Sequence, residues 1–263
     1  HPFFVVIFYW LKNFTRKTMK TPTFVARKKR KTNQVIFYPF LKHNLMENYL
    51  KSTYFLDYEQ EKVAAFAKKH TETCTTLREK AIALYNAVRD GFYYNPYDLN
   101  FNKEGLKASD LLNRKHGYCI EKAVLLAASA RAANIPSRLS FYDVKNHIAT
   151  DRLCAILGTN VLVFHGAAEL YLDGEWLKTT PAFNASLCEK LGVASLEFDG
   201  FHDSIFQEYD ASGDKQFMEY LHDYGSFDDV PYDLLIETTL NAYPQFLENE
   251  EFKSGKNRHF IFT

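Results

Sequence analysis

Excess charge is absent. The 263 residues carry 32 Lys and Arg against 32 Asp and Glu, so no net field draws a polyanion and a nucleic-acid partner is not expected. Cysteine is sparse: Cys74, Cys119, Cys154 and Cys188 make no CxxC pair and no dense framework. A chain of this length buries a core without disulfide staples, so the four read as thiols of a reducing compartment, the cytoplasm. No His and Cys cluster has the spacing of metal ligands, and neither a metal nor a cofactor is expected. Long apolar runs are missing too. Phe3–Trp10 is far too short to span a bilayer, and the basic residues Arg16, Lys17, Lys20 and Arg27–Lys31 follow it, the reverse of a secretion signal. Residues 1–45 differ in composition from the rest and are expected to be an extension outside the fold, with the natural start near Met46. A nuclear-localisation or membrane-surface role for the basic run is the alternative.

What is present is apolar and periodic. With 46% hydrophobic residues the chain supports one sizeable core and a small appendage. Apolar positions at helical spacing predict helices over Gln60–Lys69 and Thr75–Asp90, a short one over Lys107–Asn113, and a central one over Cys119–Ala133 that Asn134-Ile135-Pro136 stops. Ser137–Asp143 reads as a strand, Ile148–Leu157 as helix or strand, and Ser186–Leu191 as a short helix. Alternation in this order predicts an α+β fold. The core is expected over 46–194, with 195–263 a tail wrapping it. In that tail Lys215–Tyr224 and Pro231–Ala242 read as helices, and Glu248–Thr263 as loose.

Two residues carry the chemistry. Cys119 stands at the first turn of the central helix, where unpaired N–H groups and the helix dipole favour a thiolate and lower the thiol pKa. Further on, Val161–His165 and Ala167–Leu172 run into Asp173-Gly174 and then Glu175–Thr180, a hairpin signal of the type that matches strand twist. If Leu172 faces Glu175, the register sets His165 opposite Ala182 and makes Thr180 and Asn184 its diagonal neighbours. Asp173 lies too far along the strand, about 25 Å at roughly 3.3 Å per residue, to reach that imidazole.

The order of Gly117-Tyr118-Cys119 at a helix start, a strand histidine, and then Tyr171-Leu172-Asp173-Gly174-Glu175-Trp176 resembles the transglutaminase-like superfamily. Ala87–Asp90, Ala108–Leu112 and Arg131–Arg138 add to the likeness, which covers roughly residues 60 to 190, and Asp143–His147 with Phe198-Asp199-Gly200 and Asp203-Ser204 is similar to uncharacterised bacterial members. The resemblance implies a papain-like core, a central buried helix packed on an antiparallel sheet. It also implies a Cys-His-Asp triad with Cys119 as nucleophile and His165 as base. One element departs: the family's aspartate before the proline is Thr180 here, ahead of Pro181. Thr180 is therefore the positional equivalent, and Asn184 is the other candidate to orient the imidazole, as asparagine does in papain-like proteases.

The expected function is cysteine-dependent amide or acyl chemistry through an acyl-enzyme on Cys119. Peptidase, amidase and transamidase outcomes stay open, and the substrate is a peptide, a protein or a small amide. The backbone N–H of Cys119 is expected to hold the oxyanion, and Tyr93 and Tyr94, beside the turn-forming Asn95-Pro96, read as packing residues or as a second donor. A catalytically silent domain that binds peptides in the same cleft is the alternative. His116, three residues before the nucleophile, and His147 read as solvated or structural.

Overall fold

The computed structural model describes residues 46–147, 150–205 and 217–262. They belong to the unit Pro39–Thr263; a separate unit, His1–Tyr38, lies outside the described residues, as does the expectation made for residues 1–45. Helices α1 (Glu61–Thr71), α2 (Leu77–Gly91) and α3 (Ala108–Leu111) precede the central α4 (Cys119–Ala132). After α4 the chain lays down β4 (Ser137–Asn146), α5 (Asp151–Leu157), β5 (Val161–Leu172) and β6 (Glu175–Thr179). It continues through α6 (Ala185–Leu191), β7 (Met218–Phe227), α7 (Tyr232–Ala242), α8 (Glu250–Ser254) and β8 (His259–Ile261). The short β1 (Tyr93–Tyr94), β2 (Asp98–Asn100) and β3 (His116–Gly117) lie between α2 and α4. An antiparallel sheet ordered β6-β5-β4-β7 backs the core, which makes the fold α+β.

The central helix is buried on every side from Cys119 to Arg131, which fits its apolar residues being spread around the whole circumference instead of along one stripe. It packs on β5 and is covered by α1, α2 and α3. Val124, Leu125 and Leu126 are fully buried, each stabilising the fold by about 1.5–3 kcal/mol. A capping box starts α2: the Thr76 hydroxyl accepts from Glu79 N–H at 3.1 Å and the Glu79 carboxylate accepts from Thr76 N–H at 3.1 Å. Thr150 caps α5, which Gly158 ends at φ 68°; the ambiguous stretch before β5 is thus helical from Asp151.

The hairpin forms in the predicted register. Leu172 faces Glu175 and the ladder continues to Ala168 opposite Thr179, around Asp173 and Gly174 with φ of 49° and 102°, the positive pair that a tight, twist-matched turn needs. It does not continue to His165 and Ala182. Pro181 has no N–H for a ladder, and Thr180 N–H already donates to Ser204 O at 2.9 Å. His165 faces Tyr142 of β4 instead.

Two stretches of the tail differ from expectation. The helix read over Lys215–Tyr224 is strand β7 from Met218 onward, paired antiparallel with β4. Tyr220 and Tyr224 share a helical spacing, but the open edge of β4 offers a full ladder to the backbone, and aromatic residues suit such a half-buried strand. The C-terminal stretch is ordered, not loose. Asn249 caps α8, and β8 pairs with Asp98–Asn100, which seats Phe252 and Phe260 with ring centroids 4.9 Å apart. Asp98 also binds His116 Nε2 at 2.6 Å and His259 Nε2, tying the last strand to the one that leads into Cys119. Of the tail aromatics, Phe217 is buried against Phe183 and Phe201 is exposed under the Arg78 guanidinium. Phe206 and Tyr209 lie outside the described residues.

Candidate active site

Cys119 is the first residue of α4, delivered there by β3, which pairs in parallel with β1. The turn is fixed by a buried carboxylate: Glu121 reaches back to accept from Tyr118 N–H at 3.0 Å and takes an ion pair from Arg114 at 2.9 Å. Burial lifts the Glu121 carboxyl to about 7 against the pull of that guanidinium. Opposite the helix start, β5 comes in at Gly166, where a Cβ would stand 2.9 Å from Ile120 Cα. Only glycine lets strand and helix backbones approach this closely. The Gly166 N–H favours the Cys119 thiolate, and Gly166, the residue that follows His165, packs against the helix backbone at Ile120, next to Cys119.

His165 is 3% exposed and Cys119 8%. Phe164, just before the histidine, has φ 58°, a conformation rare for a bulky residue and one that gathers at functional sites. It marks a bulge between the pairs Tyr142–His165 and Val144–Leu162, and a bulge re-aims the side chains beside it. Tyr142 packs edge-on against Tyr220 at 5.2 Å. The Tyr220 hydroxyl is influenced by both Thr180 and the Cys119 sulfur.

The electrostatics run against the sequence expectation for the thiol. Burial pushes Cys119 up to about 11, outweighing the N–H groups of Gly166, Ile120 and Cys119 that favour the thiolate. Half a dipole charge at a helix start does not offset removal of the thiolate from water in so enclosed a position. Burial likewise lowers His165 to about 4. At rest both groups are neutral, a thiol and an imidazole.

Neither proposed orienter bonds the histidine. His165 Nδ1 and Thr180 Oγ1 are both buried with no hydrogen-bond partner among the described residues. Asn184 is committed elsewhere: its carbonyl accepts from Tyr94 N–H at 3.0 Å and its amide donates to Ser186 Oγ at 2.8 Å. It staples β1 to the start of α6. The diagonal placement that favoured it needed a ladder running past Pro181, which does not form. Of the two upstream tyrosines, Tyr93 is 63% exposed, while Tyr94 lines a cavity with Cys119. His147 pairs with Glu219 at 3.1 Å, and Asp173 with Arg78.

Lys122 escaped notice in the sequence. It is fully buried one turn after Cys119, and its ammonium donates to Arg89 O, Phe92 O and Ala182 O at 2.9, 2.8 and 2.7 Å. Burial lowers it to about 7, while three carbonyls match the three protons of the charged form. It pins the exit of β6 to the end of α2. A lysine inside an otherwise apolar, Ala-rich helix was the available signal. Among the described residues no group of three His, Cys, Asp or Glu is placed to hold a metal, and no helix is long and apolar enough to cross a membrane.

The chain spans about half the length of one similar solved structure and a quarter of another. The first is a candidate cysteine protease from Cytophaga hutchinsonii, at 16% identity and TM-score 0.41, covering 70% of this chain and 56% of that one. The second is a candidate protease from Parabacteroides distasonis, at 19% identity and TM-score 0.34, covering 51% and 25%. Neither likeness bears on function. No curated protein matches the chain. Residues 64–181, which include α4, the hairpin and Pro181, match the family model of the transglutaminase-like superfamily.

Proposed function

We propose that the protein carries out amide or acyl transfer chemistry through a thioester on Cys119, with His165 as base and then acid. The observation that carries this reading is the thiol buried at the helix start, where β5 closes on the helix backbone at Gly166, directly after a buried histidine whose Nδ1 has no partner among the described residues. The sulfur attacks the substrate carbonyl as its proton passes to the imidazole, and the Cys119 N–H receives the oxyanion. The imidazolium then protonates the departing amine. Water or a second amine resolves the thioester, giving hydrolysis or transamidation. A peptide, a protein or a small amide suits this chemistry.

With both groups neutral at rest, charge separation belongs to the attack itself. Thiolate and imidazolium arise together, and each stabilises the other in a cleft from which water is excluded. This suits an enzyme that activates its nucleophile only when a carbonyl is in place. Turnover of an amide or thioester substrate should vanish in Cys119→Ala; activity retained in that variant would move the chemistry elsewhere. One observation favours a second reading, a peptide-binding domain without turnover: among the described residues no carboxylate bonds His165. In that case peptides bind and no adduct accumulates on Cys119.

A further inference from the structure

We propose that the cavity beside Cys119 is an acyl-side specificity pocket for a short branched aliphatic side chain next to the reacting carbonyl. The inference rests on the nucleophile reading of Cys119. The cavity measures about 60 Å³ and has Cys119 on its wall. Ile120 and Phe164 line it together with the thiol, as do Leu153 of α5 and Leu235 of α7. Its lining contains no Asp, Glu, Lys, Arg, His, Asn or Gln. Two of its tyrosines spend their hydroxyls on backbone: Tyr243 donates to Val161 O and accepts from Val163 N–H, each at 2.9 Å, and Tyr118 donates to Asn100 O at 3.3 Å. A charged or amide side chain entering here would shed its water and meet only the hydroxyls of Tyr94 and Thr239 in exchange.

Size narrows the class further. A cavity of about 150 Å³ accommodates benzene, and this one is less than half as large. An aromatic ring is too big for it without displacing the walls. The branched ends of valine and leucine suit it in both size and polarity.

The test is a set of peptidyl acyloxymethyl ketones that differ only in the residue next to the ketone: Ala, Val, Leu, Trp, Gln and Asp. The Cys119 sulfur attacks the methylene carbon, a C–S bond forms, and the C–O bond breaks with its electron pair leaving on the carboxylate. The thiol proton passes through His165 to solvent. Labelling of Cys119, read by peptide mass spectrometry, is expected to be at least about tenfold faster with Val or Leu than with Trp, Gln or Asp, the scale on which apolar pockets discriminate. Val163→Phe and Leu99→Phe, both at half-buried wall positions, are expected to bring the Val and Leu rates down to that of Ala, with the unfolding midpoint reporting on folding. Equal rates across the set, or a preference for Gln, Asp or Trp, overturn the pocket. Iodoacetamide carries no side chain and separates the two claims. If it labels Cys119 while the set shows no preference, the pocket alone fails; if no reagent labels Cys119, the nucleophile fails and the pocket with it.

Discussion

The sharpest consequence of burial is the pH dependence of Cys119 alkylation. With a thiol pKa of about 11, the thiolate fraction at pH 7 is about 10⁻⁴, against about 3% for a free cysteine of pKa about 8.5. That deficit is roughly 300-fold. A more basic thiolate is also more nucleophilic, with a Brønsted slope of about 0.4–0.5, which returns roughly 10- to 20-fold. Cys119 should therefore react with iodoacetamide roughly 20-fold slower than a model thiol at pH 7. Its rate should keep rising to about pH 11 without a plateau. The protein holds four free cysteines, two of them half-buried, so the assay must resolve sites by peptide mass spectrometry. A plateau reached by pH 7, the signature of a standing thiolate–imidazolium pair, would refute the dominance of desolvation at this site.

Gly166→Ala places a methyl 2.9 Å from Ile120 Cα. It should destabilise the fold by about 1–3 kcal/mol as overpacking, with turnover falling further than the folded fraction as strand and helix separate. Comparing unfolding midpoints with turnover under folded conditions separates the two effects. Lys122→Met strands three buried carbonyls and should cost about 3 kcal/mol or more in chemical denaturation; a change below about 1 kcal/mol would mean that the clamp is dispensable. Lys122 is lowered in the folded state to about 7, so the unfolded chain binds the extra proton and Lys122 makes stability rise between about pH 7 and its ordinary pKa near 10.4. That slope should be missing from the Met variant. Thr180→Asp introduces the carboxylate that the resemblance to the transglutaminase-like superfamily implies at this position. It should raise the His165 pKa and move the alkylation profile to lower pH, and an unmoved profile would place residue 180 out of contact with the imidazole.

Local signals made much of the architecture legible. Asp173-Gly174 defined the turn and the register, and an Ala- and Leu-rich run after Gly117-Tyr118-Cys119 defined the central helix. Both rest on spacing within a few residues. What was not legible depends on packing between distant segments. The pairing of Met218–Phe227 with β4, the seating of Phe252 and Phe260, and the diversion of Asn184 to Tyr94 each need a partner that no local pattern announces. The sign of the Cys119 shift was missed for the same reason. The dipole at a helix start is visible in the sequence, but the desolvation that exceeds it comes from strands and helices folded over the thiol.

The central claim, a thioester on Cys119 formed with His165 as base, is tested most directly by intact-mass measurement of the protein mixed with an activated acyl substrate, comparing wild type with His165→Ala. A mass increase equal to the acyl group, mapped to Cys119, is expected in the wild type, and it should form about 10²–10⁴-fold more slowly in the variant. Equal rates in the two proteins, or an adduct at Cys74, Cys154 or Cys188 instead, would contradict it.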